Sequence, residues 1–211
     1  MGLFNRRAAI GAAIAISLTA GASVALVGCN KGAGGSVDGD MTLGDANAKV
    51  KMIEYGSLSC VHCANWNRDV WPEFKKKYVD TGKIHYTFRP FKLSPADSYT
   101  AAGDLLGRCA GKDKYFGVID ALFHSQQEAF SAQGAARDVL FNVGAQAGLS
   151  KDQVTACLND DKALLALDKR MNEPKAKEVG ATPTFFIGDQ KFESELPLAE
   201  IDKGYAKAGG Q

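Results

Sequence analysis

Hydrophobic residues follow two different spacings along this chain. Short apolar or alternating runs, rich in β-branched and aromatic residues, are typical of β-strands. They occur at residues 50–55, 83–91, 184–187 and 190–194. Apolar residues three or four apart, typical of helices, occur at residues 60–78, 96–109, 114–130, 135–147, 150–158, 161–179 and 197–207. The predicted order is β-α-β, a helical block over about residues 95–179, and then β-β-α.

Three local signals sharpen the boundaries of these elements. Gly188 and Asp189 lie between the last two predicted strands and indicate a hairpin turn. Ser150 and Gln153 have the spacing of a capping box, so a helix is expected to begin there. Pro174 has no N–H to donate, and it is expected to break or kink the helix predicted around it.

The candidate chemistry lies where the first predicted strand meets the first predicted helix. Cys60 and Cys63 form a C-x-x-C pair at the start of that helix, after a turn at residues 56–59. The unpaired N–H groups and the positive dipole end of a helix N-terminus stabilise a thiolate, so we expect the pKa of Cys60 to be lowered. Cys63 lies one turn further in, close enough to form a small disulfide with Cys60. The pattern predicts a redox-active dithiol.

Metal and haem sites are the alternative uses of such a pair. Structural zinc needs a second pair of ligands at finger spacing, and covalent haem needs a His directly after the second Cys. The chain has no second pair, and Ala64 stands in the position of that His. A soft-metal site for copper, built from Cys60, His62 and Cys63, stays open. The redox reading requires no metal and no cofactor.

Composition narrows the class of protein only slightly. The chain has 211 residues, of which 45% are hydrophobic, enough for one domain with a substantial core. Its 25 Lys and Arg against 24 Asp and Glu give a net charge of +1. Such a balanced charge gives no reason to expect a nucleic-acid partner.

The first residues have the form of a bacterial export signal. Arg6 and Arg7 supply a short positive region, and residues 8–28 are small or apolar and carry no charge. An uncleaved membrane anchor is the alternative, because the run could just span a bilayer. The sequence before Cys29 resembles a lipobox, a signal in which a peptidase cuts before the Cys and the Cys carries a lipid. We therefore expect a signal peptide at residues 1–28 and a Gly-rich, lipid-attached tether at residues 29–41.

Three motifs together resemble the DsbA-like thiol:disulfide oxidoreductases of the thioredoxin_4 type. They are IEYGSLSCVHCANW around the cysteine pair, FRPF at the end of the second predicted strand, and GATPTFFIG near the C-terminus. The resemblance covers about residues 42–207. It implies an α/β thioredoxin fold with an inserted all-helical subdomain, within one domain at residues 42–211.

The resemblance also implies roles for residues at the cysteine pair. Cys60 would be the exposed nucleophile and Cys63 the buried resolving thiol. His62 would stabilise the Cys60 thiolate, although a solvent-facing His without effect is the alternative. Glu54 lies six residues before Cys60 in an apolar strand, where the family has an acid that moves the proton of Cys63. A carboxylate at an exposed sheet edge, paired with Lys51 or Arg89, is the other reading of Glu54.

Two further pairs of residues are candidates for substrate binding and for stability. Thr182 and Pro183 match the family's cis-proline position, which would bring the Thr182 backbone beside Cys60 as a binding site for an extended substrate; an ordinary trans proline is the alternative. Cys109 and Cys157 are the cysteines left after one lipidated and two redox-active ones. In an oxidising compartment such a pair usually forms a disulfide, as it does in some DsbA-like relatives, but two inert core thiols stay possible.

The expected function is thiol–disulfide exchange in a periplasm-facing, membrane-tethered monomer. Unfolded or reduced exported proteins would be oxidised at Cys60 and Cys63, and a DsbB-like, quinone-linked membrane protein would reoxidise the pair. A reductase or isomerase of the same fold and a copper-binding chaperone are the alternatives. A soluble periplasmic protein, released after signal cleavage, is the alternative location.

Overall fold

A computed structural model of the chain describes residues 39–94 and 97–211. Within these residues one five-stranded mixed sheet has the strand order β1-β3-β2-β4-β5. The strands are β1 (Met41–Leu43), β2 (Val50–Gly56), β3 (Ile84–Pro90), β4 (Thr184–Ile187) and β5 (Gln190–Glu193). The predicted α/β thioredoxin fold with a helical insertion is confirmed. The predicted signal peptide, with Cys29 at the start of the tether, lies outside the described residues.

The register of β2 brings distant parts of the chain together where β2 ends and β4 begins. β2 lies in the middle, parallel to β3 and antiparallel to β4. Tyr55 near the end of β2 is opposite Thr184 at the start of β4. Because β2 and β4 run in opposite directions, the turn that leaves β2 lies beside the turn that enters β4. The cysteine pair and Pro183 are therefore neighbours in space.

Helices cover the sheet and form the insertion between β3 and β4. They are α1 (Val61–Asp69), α2 (Trp71–Phe74), α3 (Ser98–Ala110), α4 (Lys112–His124), α5 (Gln126–Ala129), α6 (Ala135–Gln146), α7 (Lys151–Leu158), α8 (Asp161–Met171) and α9 (Leu198–Lys207). A π-helical turn, Lys75–Val79, follows α2, and a 3₁₀ turn, Pro174–Glu178, follows α8. No helix in the part of the chain that the structure describes is long and apolar enough to span a membrane.

Several predicted boundaries change for local reasons. The helix predicted at residues 60–78 breaks at Val70, because Pro72 at the start of α2 cannot donate a backbone hydrogen bond. The helix predicted at 114–130 is divided at Ser125. The capping box of Ser150 and Gln153 is present, and Pro174 ends the regular helix as expected.

The first strand was not predicted. Met41, assigned to the tether from its sequence, is the buried first residue of β1 and lies opposite Phe88 of β3. A strand of three residues shows too little alternation to be recognised, and its neighbour in the sheet is more than forty positions away. The sheet therefore begins one strand earlier than the β-α-β order predicted.

Successive side chains of β2 point to opposite faces of the sheet and pack against different clusters. Met52 belongs to the large core beneath α1 and α4, whereas Ile53 and Tyr55 belong to a smaller cluster with the 3₁₀ turn. Glu54 points to the same side as Met52, since successive strand residues alternate. An acidic side chain therefore lies on the more deeply covered face of the sheet, beneath the helix that begins at Cys60.

Candidate active site

Cys60 lies at the N-cap position of α1, as the sequence predicted. Its backbone is extended (φ −87°, ψ 120°), and α1 begins at the next residue. The expectation that Cys60 is exposed is wrong for this structure, because the residue is only 7% exposed and its Sγ lies 3.2 Å from the carbonyl oxygen of Thr182. Cys63 is fully buried, and its Sγ accepts a hydrogen bond from the N–H of Ser57 at 3.5 Å. The Cys60 sulfur therefore lies beside the loop of Thr182 and Pro183, and the Cys63 sulfur lies deeper in the protein.

The two thiols of this pair have pKa values shifted in opposite directions. A hydrogen bond from Cys63 lowers the pKa of Cys60 to about 5, although burial opposes the shift. The Thr182 side chain and the backbone N–H groups of His62 and Cys63 add to the lowering. Burial raises the pKa of Cys63 well above its ordinary value, and the hydrogen bond to Cys60 and the charge of Glu54 add to the effect. At neutral pH Cys60 is a thiolate and Cys63 a thiol. The two sulfurs of the pair therefore differ in their protonation at neutral pH.

Hydrogen bonds from the insertion fix the turn that carries Cys60. Asp97 accepts from the hydroxyls of Ser57 and Ser59, at 2.8 and 2.7 Å. Gln126 of α5 donates its Nε2–H to the carbonyl oxygens of Leu58 and Cys60, at 2.8 and 3.0 Å. Because Gln126 is buried, these carbonyls have little access to water as an alternative donor. The helical insertion therefore directly positions the turn that leads from β2 to Cys60.

Thr182 and Pro183 lie beside Cys60, and the peptide bond between them is cis. Both residues are buried, and the Thr182 carbonyl oxygen faces the Cys60 sulfur. The register between β2 and β4 accounts for this contact across 122 positions of sequence. An extended chain bound at Cys60 would meet the backbone of this loop first.

Glu54 lies in the interior and not at an edge of the sheet. It is 1% exposed in the central strand, and its Oε2 accepts a hydrogen bond from the hydroxyl of Tyr86. Burial raises the pKa of Glu54 to about 8, although the Tyr86 hydrogen bond opposes the shift. The reading of Glu54 as an exposed carboxylate paired with Lys51 or Arg89 is wrong, since Arg89 pairs with Asp40 and Glu173.

The absence of a side chain at Gly56 leaves room for Glu54. A Cβ at Gly56 would come within 2.9 Å of Glu54 Oε1 and 2.7 Å of a ring carbon of Phe88. The carboxyl group therefore approaches the backbone at the point where β2 turns toward Cys60. A carboxyl with a pKa near neutrality at this place can give a proton to, or take one from, a nearby sulfur.

His62 has an acidic partner that the sequence did not indicate. Its imidazole is exposed on the first turn of α1, and Nδ1–H donates to Glu195 Oε1 at 2.8 Å. This hydrogen bond raises the pKa of His62, with a smaller contribution from the charge of Cys60. The alternative reading of His62 is correct that the side chain faces solvent. The side chain is nevertheless held by a hydrogen bond to Glu195.

Cys109 and Cys157 form a disulfide away from this site. The bond joins the end of α3 to α7, with 6.1 Å between the two Cα atoms. The distance lies within the usual range for a disulfide. The pairing expected from the sequence is present in the structure.

Four residues that support the site escaped sequence analysis: Tyr86, Asp97, Gln126 and Glu195. Each lies more than thirty positions from the residue it contacts. The polar type of Asp97, the second residue of the helix predicted at 96–109, was the only signal available for any of them, and it indicates a cap as readily as a site. Among residues 39–94 and 97–211 no group of three or more His, Cys, Asp or Glu is arranged to hold a metal ion.

A C-x-x-C pair at a helix N-terminus, opposite a cis-proline loop of a mixed sheet, defines a thioredoxin-fold protein with a dithiol site. The family model Thioredoxin_4, described as thioredoxin, matches residues 36–204. The chain belongs to this family. Its helical insertion makes it a DsbA-like member of the thioredoxin superfamily.

Relatives with this fold carry names that refer to disulfide chemistry. Proteins of Rickettsia conorii and Rickettsia prowazekii, named for protein-disulfide oxidoreductase activity, are 35% and 33% identical over 71% and 81% of this chain. The chain spans 53% and 62% of their lengths. The crystal structure of alpha-DsbA1 from Wolbachia pipientis has a TM-score of 0.73 and 30% identity, over 82% of this chain and 94% of that one. BdbD of Bacillus subtilis, at 19% identity and a TM-score of 0.72 over 82% of this chain and 94% of its own, supports the fold alone.

Proposed function

We propose that this protein is a thiol:disulfide oxidoreductase that oxidises dithiols in exported proteins through Cys60 and Cys63. The observation that carries the proposal is the opposite shift of the two thiol pKa values, to about 5 at Cys60 and well upward at Cys63. A stable thiolate at Cys60 favours the reduced form of the pair and makes its disulfide oxidising.

Each step of the exchange has a group to perform it. A client thiolate attacks Cys60 Sγ of the Cys60–Cys63 disulfide, a new bond joins client and Cys60, and Cys63 leaves as a thiolate. Glu54, whose pKa is about 8, supplies the proton that Cys63 takes up. A second client thiolate then attacks the client sulfur of the mixed disulfide and releases Cys60 as a thiolate. The client loses two electrons, and the pair gains them.

The Thr182–Pro183 backbone binds the client chain during this exchange. The Thr182 carbonyl lies 3.2 Å from Cys60 Sγ, so a client strand seated there has its cysteine next to the attacked sulfur. Contacts to backbone groups fit many sequences, which suits an enzyme that acts on unfolded clients.

The protein is placed at the periplasmic face of a membrane, where a second protein accepts the electrons of the reduced pair. The export signal and the lipobox-like sequence before Cys29 support a lipid-tethered protein facing the periplasm, and we propose that it acts as a monomer. A DsbB-like membrane protein reoxidises Cys60 and Cys63 there. A soluble periplasmic form without the lipid is the alternative, and mass spectrometry of the mature N-terminus separates the two.

Equilibration with glutathione, followed by a client assay, tests the proposed function. We expect the purified protein to have a potential nearer to about −120 mV than to about −270 mV and to oxidise a reduced, unfolded protein stoichiometrically. A potential near the lower value would instead assign a reductase, and faster reshuffling than oxidation of a scrambled client would assign an isomerase. Copper bound at Cys60 and Cys63 after purification under reducing conditions, with no exchange activity, would contradict the proposal.

A further inference from the structure

The residues that connect β5 to α9 contact both sides of the candidate active site. Ser194 donates its N–H to the carbonyl oxygen of Pro183 at 3.0 Å. Leu196 accepts at its carbonyl oxygen, at 2.9 Å, a hydrogen bond from the indole Nε1–H of Trp66 in α1. The connection is therefore attached to the cis-proline loop at one end and to the cysteine helix at the other.

Glu195, between these two attachments, reaches the first turn of α1. Its Oε1 accepts hydrogen bonds from His62 Nδ1 at 2.8 Å and from Asn65 Nδ2 at 3.0 Å. The two donors lie three positions apart on one face of the helix, directly after Cys60. The carboxylate is thus held by two donors, and the imidazole has a fixed orientation although it is 60% exposed.

We infer that Glu195 is a positioning residue for thiol–disulfide exchange: it holds His62 as an imidazolium beside Cys60 and thereby favours the reduced, thiolate form of the Cys60–Cys63 pair. The inference rests on the proposed function, because the charge of His62 matters only if Cys60 cycles between thiolate and disulfide. It concerns how strongly the pair oxidises and leaves the identity of the client open.

The pKa values of the two partners agree with this arrangement. The hydrogen bond to Glu195 raises the pKa of His62, and the same bond lowers the pKa of Glu195. The Cys60 thiolate also raises the pKa of His62, so the imidazolium and the thiolate stabilise each other. Without Glu195, His62 would lose its proton at a lower pH.

Two other charged groups lie near this pair and largely compensate each other. Arg68 and Asp69 form an ion pair at 2.8 Å, and Arg68 also donates to Asn65 Oδ1 at 3.1 Å. Asp69 weakly opposes the lowered pKa of Glu195. Glu195 is therefore the acid whose removal changes the charge of His62 most directly.

The test compares Glu195→Gln with the unaltered protein, using the equilibrium with glutathione and the ultraviolet absorbance of the Cys60 thiolate. Gln keeps the shape of the side chain and an oxygen acceptor but removes the charge. At about pH 7.5 we expect the variant to be less oxidising by roughly threefold in the equilibrium constant, the size expected for an exposed charge pair. At about pH 5, where His62 is protonated in both proteins, the difference should shrink toward zero.

Two controls separate this effect from a general change of charge or fold. Glu193→Gln removes an exposed acid two residues away that pairs with Lys191, and it should leave the potential unchanged. In a His62→Ala background, Glu195→Gln should have no further effect, because the carboxylate acts through the imidazole.

Three results would overturn the inference: an unchanged potential at about pH 7.5, an equal shift at both pH values, or an equal shift when His62 is absent. A more oxidising Glu195→Gln protein would also overturn it, since that would mean the carboxylate keeps the imidazole away from Cys60. The failure of the proposed function looks different, because it is seen in the unaltered protein alone: that protein would not equilibrate with glutathione, or its potential would lie near about −270 mV.

Discussion

The described domain contains two pairs of cysteines, and their surroundings give them opposite chemistry. Cys60 and Cys63 are free thiols on one helix turn, with pKa values moved apart by hydrogen bonds at Cys60 and by burial at Cys63. Cys109 and Cys157 are joined across 48 positions between two helices of the insertion. The same residue type is a pair of thiols with shifted pKa values in one place and a disulfide in the other.

The two pairs differ in the groups that surround their sulfur atoms and in the length of chain between them. Cys60 Sγ lies 3.2 Å from the Thr182 carbonyl oxygen, in the loop that enters β4. The disulfide of the insertion closes a long loop and so removes freedom mainly from the unfolded chain. The chemistry of the first pair therefore depends on the lowered pKa of Cys60, and the stabilising effect of the second pair depends on the length of chain between its two sulfurs.

Substitutions in the reactive pair should have the largest effect. Cys60→Ala should abolish exchange with a reduced client, because no other thiolate faces the cis-proline loop within the described residues. Cys63→Ala should instead accumulate mixed disulfides at Cys60, since the resolving thiol is missing; non-reducing gels and mass spectrometry identify the trapped species. Equal trapping by both variants would show that the roles of the two sulfurs are assigned wrongly.

Removing the second pair should affect stability and spare the chemistry. The Cys109→Ala, Cys157→Ala double variant should lose about 4 kcal/mol of unfolding free energy, as the chain-entropy model gives for a loop of this length. Chemical denaturation measures the loss, and client oxidation by Cys60 and Cys63 should stay close to that of the unaltered protein. A comparable loss of oxidation rate in a folded double variant would contradict the separation of the two pairs.

Replacement of Glu54 should change the pH dependence of stability. Burial raises its pKa from 4.5 to about 8, so the folded protein keeps a proton that the unfolded chain releases between these values. The stabilising contribution of the protonated carboxyl is therefore complete below about pH 4.5 and is lost as the pH rises through about 8. The lowered pKa of Cys60 acts in the opposite direction in the reduced protein, so the experiment uses the difference between the two proteins. From about pH 4 to about pH 9 the unfolding free energy of Glu54→Gln should fall less with pH than that of the unaltered protein.

The exposed Glu193→Gln variant is the control for Glu54, because Glu193 pairs with Lys191 at the surface and should leave the decline intact. If Glu54→Gln keeps the full slope, the carboxyl does not carry a raised pKa, and another group must protonate Cys63.

The smallest change in stability is expected when Gln126, which holds the turn before Cys60, is replaced. Gln126→Ala should remove about 1 kcal/mol of unfolding free energy, because the Leu58 and Cys60 carbonyls lose a buried donor. The matched control is Gln127→Ala, on the exposed side of the same short helix. Equal losses in the two variants, measured by urea denaturation, would mean that Gln126 does not hold the turn.

The sequence by itself determined the features that depend on neighbouring residues. The strand, turn and helix around Cys60, the capping box at Ser150, the hairpin at Gly188 and the interruption at Pro174 are specified by residues within a few positions of one another. Resemblance to a family then supplied what spacing alone could not, such as the place of Thr182 and Pro183 beside Cys60.

Tertiary structure alone decided which polar groups surround the sulfurs. Glu195 meets His62 across 133 positions, Gln126 meets Cys60 across 66, and Tyr86 meets Glu54 across 32. Each of these contacts depends on strand register and helix packing, which no local pattern encodes. The sequence therefore predicted a reactive thiol at Cys60, whereas the fold set its pKa and gave His62 a partner.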